Sequence, residues 1–171
     1  FSGLASHGAT LAVIISVYLF RRLKLREKSY LWILDRVVLA VPIGGAFVRL
    51  GNLMNSEIVG KYTGSNTGFI FQRLGETEPR YPTQIFEAIG YVLVFFVLWF
   101  VYWKTDKKQK EGYLFGLFMM LLWAVRFIVE FWKEPQDGEN LLAVLNKGQL
   151  LSIPFILIGA FFVLRHQFKK A

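Results

Sequence analysis

The hydrophobic residues of this chain are gathered into long blocks that short charged clusters separate. Five ranges contain no Asp, Glu, Lys or Arg: Phe1–Phe20, Val37–Val48, Ala88–Trp103, Gly112–Val125 and Gly148–Leu164. A helix needs about 20 mostly apolar residues to cross a bilayer, and the first block has that length alone. The others reach it with their flanks, as in Leu31–Arg49 and Gly112–Trp132. The pattern predicts an all-α polytopic membrane protein with about five transmembrane helices.

The chain is expected to form a single transmembrane domain over 1–171. We place its helices at Gly3–Phe20, Leu31–Leu50, Pro82–Trp103, Glu111–Trp132 and from Gly148 to just before Arg165. Pro42, with two glycines after it, indicates a kink or a close helix contact in the second helix. Between helices two and three, residues 51–81 are polar and rich in turn residues. They are predicted to form a small extracytoplasmic head, with a short strand at Phe69–Leu74.

The charges are consistent with this interpretation. The chain is 54% hydrophobic and has a net charge of +8, so a soluble bundle is disfavoured. The basic residues lie in short clusters after helices one, three and five, which hold five, four and three Lys or Arg. This distribution follows the positive-inside rule and does not indicate a nucleic-acid partner. Helices one, three and five are therefore predicted to run from outside to inside.

This orientation places ten polar side chains near the outer side of the membrane: His7, Arg49, Asn52, Asn55, Glu57, Gln84, Glu87, Arg126, Glu130 and Gln149. Single members have ordinary structural explanations. Glu87 lies in the first turns of a helix, where the dipole favours a carboxylate. Arg126 and Glu130 are four residues apart and could form a salt bridge within one helix. Ten polar groups at one level of a membrane nevertheless indicate a site, because polar groups there are costly.

The residue types indicate which chemistry this site could perform. Two arginines suit an anionic headgroup, since a guanidinium presents a planar fork of donors to phosphate oxygens. The amides can bind glycerol or ester oxygens, and His7 is the one member of the set whose unperturbed pKa allows proton transfer near neutral pH. The chain has no cysteine, and its carboxylates and histidine lack the spacing of a metal site. We therefore expect no metal or cofactor, and a phospholipid substrate attacked by an external nucleophile.

Five short motifs, taken in chain order, resemble those of the prolipoprotein diacylglyceryl transferase family. The longest begins at Arg49-Leu50-Gly51-Asn52 and continues through Asn55, Glu57 and Gly60. The other four are Ser6-His7-Gly8, Tyr81-Pro82-Thr83-Gln84 with Glu87, Arg126-Phe127 with Glu130-Phe131, and Gly148-Gln149 with Ser152 and Pro154. Together they cover nearly the whole chain, so the match is specific.

The resemblance implies a multi-pass enzyme of the bacterial inner (cytoplasmic) membrane, with its active site towards the extracytoplasmic side. Its partners would be membrane lipid, phosphatidylglycerol and the signal peptides of prolipoproteins. The diacylglyceryl group of phosphatidylglycerol would pass to the lipobox cysteine thiol, forming a thioether and releasing glycerol-1-phosphate. The external nucleophile would thus be the cysteine of the substrate.

Site residues follow from the resemblance by motif. The catalytic residues would be His7, Arg49, Arg126 and Glu130, and the substrate-binding residues would be Asn52, Asn55, Glu57, Gly60, Gln84, Glu87 and Gln149. The arginines would bind the phosphate and stabilise charge as it departs. His7 would assist removal of the thiol proton or hold the lipid. Whether His7, Glu57 or Glu130 takes the proton stays open.

The chain departs from the family pattern at four positions. Ala9 and Ser56 stand where glycine is usual, Tyr81 replaces a common histidine, and Leu122 stands where family members can carry a tyrosine. The last departure removes an aromatic hydroxyl, unless Tyr113 or another tyrosine substitutes. Family members also have about two further amino-terminal spans, so we expect this chain to be the carboxy-terminal part of a longer one.

Two other classes of protein fit the composition. One is a small membrane transporter or channel with a polar outer site, and the other is a membrane-embedded scaffold. The transporter is disfavoured because the polar groups gather at one face of the membrane and no internal repeat is visible.

Overall fold

The structure is a computed structural model that describes residues 6–134 and 145–168, with side chains described for 11–134 and 145–165. His7 is in the first helix, but its side chain lies outside this part. The α-helices of the described residues are α1 Ser6–Lys24, α2 Tyr30–Val37, α3 Val41–Met54, α4 Thr83–Lys104, α5 Tyr113–Val129 and α6 Lys147–Phe168. The predicted all-α class is confirmed.

Three helices of the described part are long and apolar enough to cross a membrane, namely α4, α5 continued to Trp132, and α6 to Arg165. A fourth span results if α2 and α3 are taken together, with a 45° bend between them. The expected number of about five spans stays a prediction.

The single second helix predicted over Leu31–Leu50 is wrong, because the chain breaks between α2 and α3. Pro42 occupies the first turn of α3. Proline has no N–H to continue the helix, and its ring clashes with the carbonyl four residues earlier. The break at residues 38–40 therefore follows from Pro42, and a first-turn proline suits the new helix.

The core of the bundle lies where α2, α4 and α5 meet. Val38, Val94, Leu98, Leu114 and Phe118 are buried together there. On the other side of α5, the Trp123 and Phe155 rings stack at 4.2 Å and join α5 to α6. This packing brings the ends of α3 and α5 and the starts of α4 and α6 to one end of the bundle, which is the end that the charges predict to face outwards.

At the opposite end, α2 caps the start of α5. Asp35 is fully buried. Its carboxylate accepts hydrogen bonds from the backbone N–H groups of Gly112 at 2.6 Å and Phe115 at 2.8 Å. These N–H groups have no partner within α5, so the carboxylate of Asp35, although distant in sequence, takes the role of an N-cap side chain.

The head, residues 51–81, is held by isolated backbone pairs. Phe69 and Arg80 exchange hydrogen bonds of 3.0 and 2.9 Å, and Tyr62 also pairs with Arg80. The predicted strand at Phe69–Leu74 is wrong, since Gln72–Leu74 forms a 3-10 turn that ends at Gly75 in the left-handed region. The 3-10 turn bends the backbone, so an extended strand cannot continue through these residues.

Arg80 fastens the head to the segment that follows α5. Its guanidinium donates to both oxygens of Glu76 at 2.6 and 2.7 Å, to Glu134 at 2.7 Å and to the Gly60 carbonyl at 2.9 Å. The hydrogen bonds with Glu76 raise the pKa of Arg80, against the opposing effect of burial, and Glu134 adds to the rise. The ring of Tyr62 covers the guanidinium at 3.8 Å. This cation therefore stays charged and joins residues far apart in sequence.

We expect Asp35→Ala to lower the free energy of unfolding by about 2 kcal/mol, because two backbone N–H groups at the start of α5 lose their acceptor. Thermal unfolding in detergent, followed by tryptophan fluorescence, measures the change. Asp106→Ala, at an exposed aspartate on the same side, is the control and should have little effect. Equal effects of the two substitutions would contradict the assigned role of Asp35.

Candidate active site

The loop after α3 has a strained backbone on both sides of Glu57. Ser56 and Ile58 have positive φ angles of 58° and 56°, which non-glycine residues adopt at a cost. The loop is held by hydrogen bonds from the start of α4. Gln84 Nε2 donates to the Glu57 carbonyl at 2.7 Å, and Thr83 Oγ1 donates to the Ile58 carbonyl at 3.3 Å. Strain of this kind persists where the surroundings fix it, which is common at functional sites.

Four charged side chains form a continuous ionic cluster at this end of the bundle, namely Arg49, Glu87, Lys133 and Glu130. Arg49 Nε lies 3.0 Å from one oxygen of Glu87, and Lys133 Nζ lies 3.0 Å from the other. Lys133 also reaches Glu130 Oε2 at 3.3 Å. The Glu87 side chain is 1% exposed, so these two cations take the place of the water from which the carboxylate is removed.

Polar side chains extend the cluster towards the surface. Arg49 donates to Asn52 Oδ1 at 3.2 Å, and Asn52 Nδ2 donates to Glu57 Oε2 at 2.9 Å. Glu57 is exposed, whereas Gln84 is fully buried beneath it. The motif that starts at Arg49 therefore forms a connected path from the buried Glu87 to the exposed Glu57.

Arg126 is placed differently from Arg49. It does not form the ion pair with Glu130 that the spacing of four allows, and it has no ion-pair partner among the described residues. Its Nε atom is buried without a hydrogen-bond partner there, and the guanidinium lies 5.4 Å from the centre of the Trp123 ring. A buried donor without a partner is uncommon and calls for an explanation. A bound anion would satisfy it.

The start of α6 closes the site beside Glu130. Asn146 and Gln149 cap each other through backbone N–H groups, both at 3.1 Å, and Asn146 Nδ2 donates to the Glu130 carbonyl at 3.2 Å. Gln149 is buried, and its Nε2 atom has no hydrogen-bond partner among the described residues. A Cβ atom on Gly148 would overlap the Glu130 carboxylate, so this glycine leaves room for it.

The structure thus joins eight of the eleven proposed site residues at one end of the bundle: Arg49, Asn52, Glu57, Gln84, Glu87, Arg126, Glu130 and Gln149. Gly60 is buried against the Tyr81 carbonyl, where a side chain would collide with backbone, so its visible role is structural. Asn55 ends α3 with an exposed side chain that has no hydrogen bond to a described residue. The side chain of His7 lies outside the described part.

Sequence reasoning missed two buried residues of this site. Lys133 directly follows the fourth predicted helix, where an exposed loop lysine is expected, yet its side chain is 5% exposed. Tyr91 is buried beside Glu87, Arg49 and Arg126, and Leu122 packs against the small buried cluster that Tyr91 forms with Ala46 and Ala88. A tyrosine therefore lies close to the position at which the family tyrosine is replaced. Tyr91 lies four residues after Glu87, which places both side chains on one face of a helix. This spacing could have identified Tyr91 as a member of the site.

The fold and the site define a polytopic helical membrane protein with a buried ionic site at one end of its bundle. In the described part, no group of three or more His, Cys, Asp or Glu is arranged to hold a metal. The family model of prolipoprotein diacylglyceryl transferase matches residues 1–165, and the chain belongs to this family.

Curated relatives carry the name phosphatidylglycerol–prolipoprotein diacylglyceryl transferase. The protein from Bacteroides fragilis is 46% identical over 172 residues, covering 100% of this chain and 61% of its own length. That from Tolumonas auensis is 41% identical and covers 99% and 64%, and that from Porphyromonas gingivalis is 42% identical and covers 95% and 62%. The chain thus spans about three fifths of the length of these relatives. Their names do not favour the transporter alternative.

We expect Ser56→Gly to raise the free energy of unfolding by about 0.5–1 kcal/mol, because glycine adopts the positive φ without strain. Thermal unfolding measures the gain. Ser56→Ala retains the strained Cβ and serves as the control, with little change expected. A loss of stability in the glycine variant would show that the angle carries no strain.

We expect Gly148→Ala to move the Glu130 carboxylate away from Lys133, since the flexible end of a side chain yields more easily than a helix. A structure of the variant should show these two groups more than about 4 Å apart, the limit of an ion pair. Gly44→Ala is the control, because a Cβ there meets nothing. A shifted α6 with the ion pair intact would contradict this expectation.

Proposed function

We propose that this chain belongs to an enzyme that transfers the diacylglyceryl group of phosphatidylglycerol to the lipobox cysteine thiol of prolipoproteins. The thiol sulfur attacks the glyceryl carbon that bears the phosphate oxygen. The new S–C bond is the thioether, and the C–O bond breaks with its electron pair on the phosphate. The products are the lipidated prolipoprotein and glycerol-1-phosphate, and the thiol proton passes to a base. Family membership and the names of the relatives support this assignment.

The proposal rests chiefly on the partly buried guanidinium of Arg126, which lies beside the ionic cluster and has no ion-pair partner among the described residues. The two cations and two anions of the ionic cluster cancel, so the charge of Arg126 is not compensated by the cluster. A phosphodiester headgroup carries one negative charge and would balance it. As the C–O bond breaks, charge grows on the phosphate, and fixed donors aimed at growing charge are an effective form of catalysis.

The remaining site residues have roles that follow from their positions. Asn52 and Glu57 lie at the surface end of the path from Arg49, where they can contact the glycerol hydroxyls of the headgroup. Gln149 offers an unpartnered Nε2 from the opposite side. We propose His7 as the base, because the unperturbed pKa of an imidazole suits proton transfer near neutral pH.

We further propose that the enzyme lies in the bacterial inner membrane with this site at the extracytoplasmic side. The distribution of Lys and Arg between the two ends of the bundle supports the orientation. Phosphatidylglycerol would then reach the site from the outer leaflet, and the prolipoprotein signal peptide would enter from within the same membrane.

Reconstituted protein, in its longest natural form, should transfer labelled diacylglycerol from phosphatidylglycerol to a lipobox peptide. We expect Arg126→Ala to lower kcat/KM by about 100-fold or more, the scale seen when one charge-stabilising donor is lost. Arg126→Lys should be intermediate, because an ammonium keeps the charge and loses the fork. Thioether formation is measured by mass spectrometry of the peptide.

Arg26→Ala is the matched control, since this arginine is exposed in the basic cluster after α1. It should retain the transfer rate. Absence of transfer by the unaltered protein, together with solute flux through its vesicles, would overturn the proposal in favour of a transporter. An unchanged rate in Arg126→Ala would refute the role of this residue.

A further inference from the structure

Glu130 has two potential cationic partners in its own segment. Arg126 lies four residues before it and Lys133 three residues after it, and both spacings bring side chains together on a helix. The structure pairs Glu130 with Lys133 at 3.3 Å, and Arg126 has no ion-pair partner in the described part. The choice between the two cations decides whether Arg126 is free to bind an anion.

The backbone fixes the position of Lys133. A 3-10 turn at Glu130–Trp132 ends α5, and Lys133 follows it in an extended conformation. This residue pairs with Gly60, through hydrogen bonds from Lys61 N to the Trp132 carbonyl at 2.8 Å and from Glu134 N to the Val59 carbonyl at 3.2 Å. The side chain is thereby directed into the protein, although lysine is almost never buried unless it is paired.

We propose that Lys133 is a positioning residue that keeps Arg126 available for an anionic headgroup by holding Glu130 and Glu87. The identity of that headgroup as phosphatidylglycerol rests on the function proposed above. Lys133 Nζ lies 3.0 Å from Glu87 and 3.3 Å from Glu130, so one ammonium serves two carboxylates from different helical segments. Arg49 supplies the other charge that Glu87 needs.

The consequence of losing Lys133 follows from the cost of a buried, unpaired charge. A carboxylate left without its partner inside a protein is strongly destabilised and will take another cation. For Glu130, that cation is Arg126, one helical turn away. The new pair would occupy the guanidinium that the headgroup needs. The loss of headgroup binding in a Lys133 variant would therefore be caused by the carboxylate of Glu130. Neutralising Glu130 should restore binding.

The test measures the Kd of a short-chain phosphatidylglycerol by calorimetry, using the longest natural form of the protein. Lys133→Met should raise the Kd about tenfold or more, the scale of a lost charged hydrogen bond. Glu130→Gln should lower the Kd, because it removes a negative charge near the anion site. The double variant Lys133→Met with Glu130→Gln should bind more tightly than Lys133→Met alone. Lys133→Arg should rescue binding.

Lys61→Met is the matched control, because Lys61 is exposed in the paired segment and, among the described residues, its ammonium bonds a backbone carbonyl and no carboxylate. It should leave the Kd unchanged. A double variant that binds as weakly as Lys133→Met, or more weakly, would show a merely structural role and overturn the proposal. If Lys133→Met does not fold, a raised Kd in Glu130→Gln or in the double variant overturns it equally.

The outcome is separable from that of the transfer assay. Unchanged Kd values in a protein that transfers diacylglycerol would refute the role of Lys133 and leave the function standing. The expected pattern of Kd values in a protein that binds phosphatidylglycerol without transferring it would support the role and refute the function.

Discussion

The burial of Glu87 is the constraint on which the rest of the structure depends. Burying a carboxylate until it is 1% exposed is costly unless cations compensate it. Arg49 reaches it from α3, and Lys133 reaches it from the segment after α5. Three segments far apart in sequence are therefore held at one point. Such a buried cluster adds little net stability, because desolvation offsets attraction, but it leaves few alternative arrangements of the helix ends.

The head and the site form one unit because the same backbone serves both. The pairing between Gly60 and Lys133 directs the lysine inward, and Arg80 braces this pairing through the Gly60 carbonyl and Glu134. Ser56, with its strained φ angle, lies in the loop that leads from α3 to Gly60. Strain is tolerated there because side chains from the start of α4 fix the loop. A change in the head would thus be transmitted to the ionic cluster through hydrogen bonds.

Sequence reasoning was accurate where the physics is local. Span length located α4 to α6, and the alternating direction of successive spans predicted that the ends of α3 and α5 lie beside the starts of α4 and α6. It failed where a residue's partner is distant in sequence. In the sequence Lys133 looks like an exposed loop lysine, because its pairing partner Gly60, which directs it inward, is far away along the chain. Likewise, the carboxylate of Asp35 caps α5, which starts at a distant point of the chain. The break before α3 was only partly foreseen, because Pro42 predicts a kink without showing whether the helix stops.

The two arginines of the site are unequal. A guanidinium has five N–H donors. Arg49 Nε lies 3.0 Å from Glu87 and its Nη1 donates to Asn52, so two of its three nitrogen atoms already face partners. Arg126 has a buried Nε without a partner among the described residues. An arriving phosphodiester would therefore gain most from Arg126, whereas Arg49 would act chiefly by keeping the Glu87 charge compensated. The residue that binds and the residue that supports binding are thus distinguished by the partners each already has.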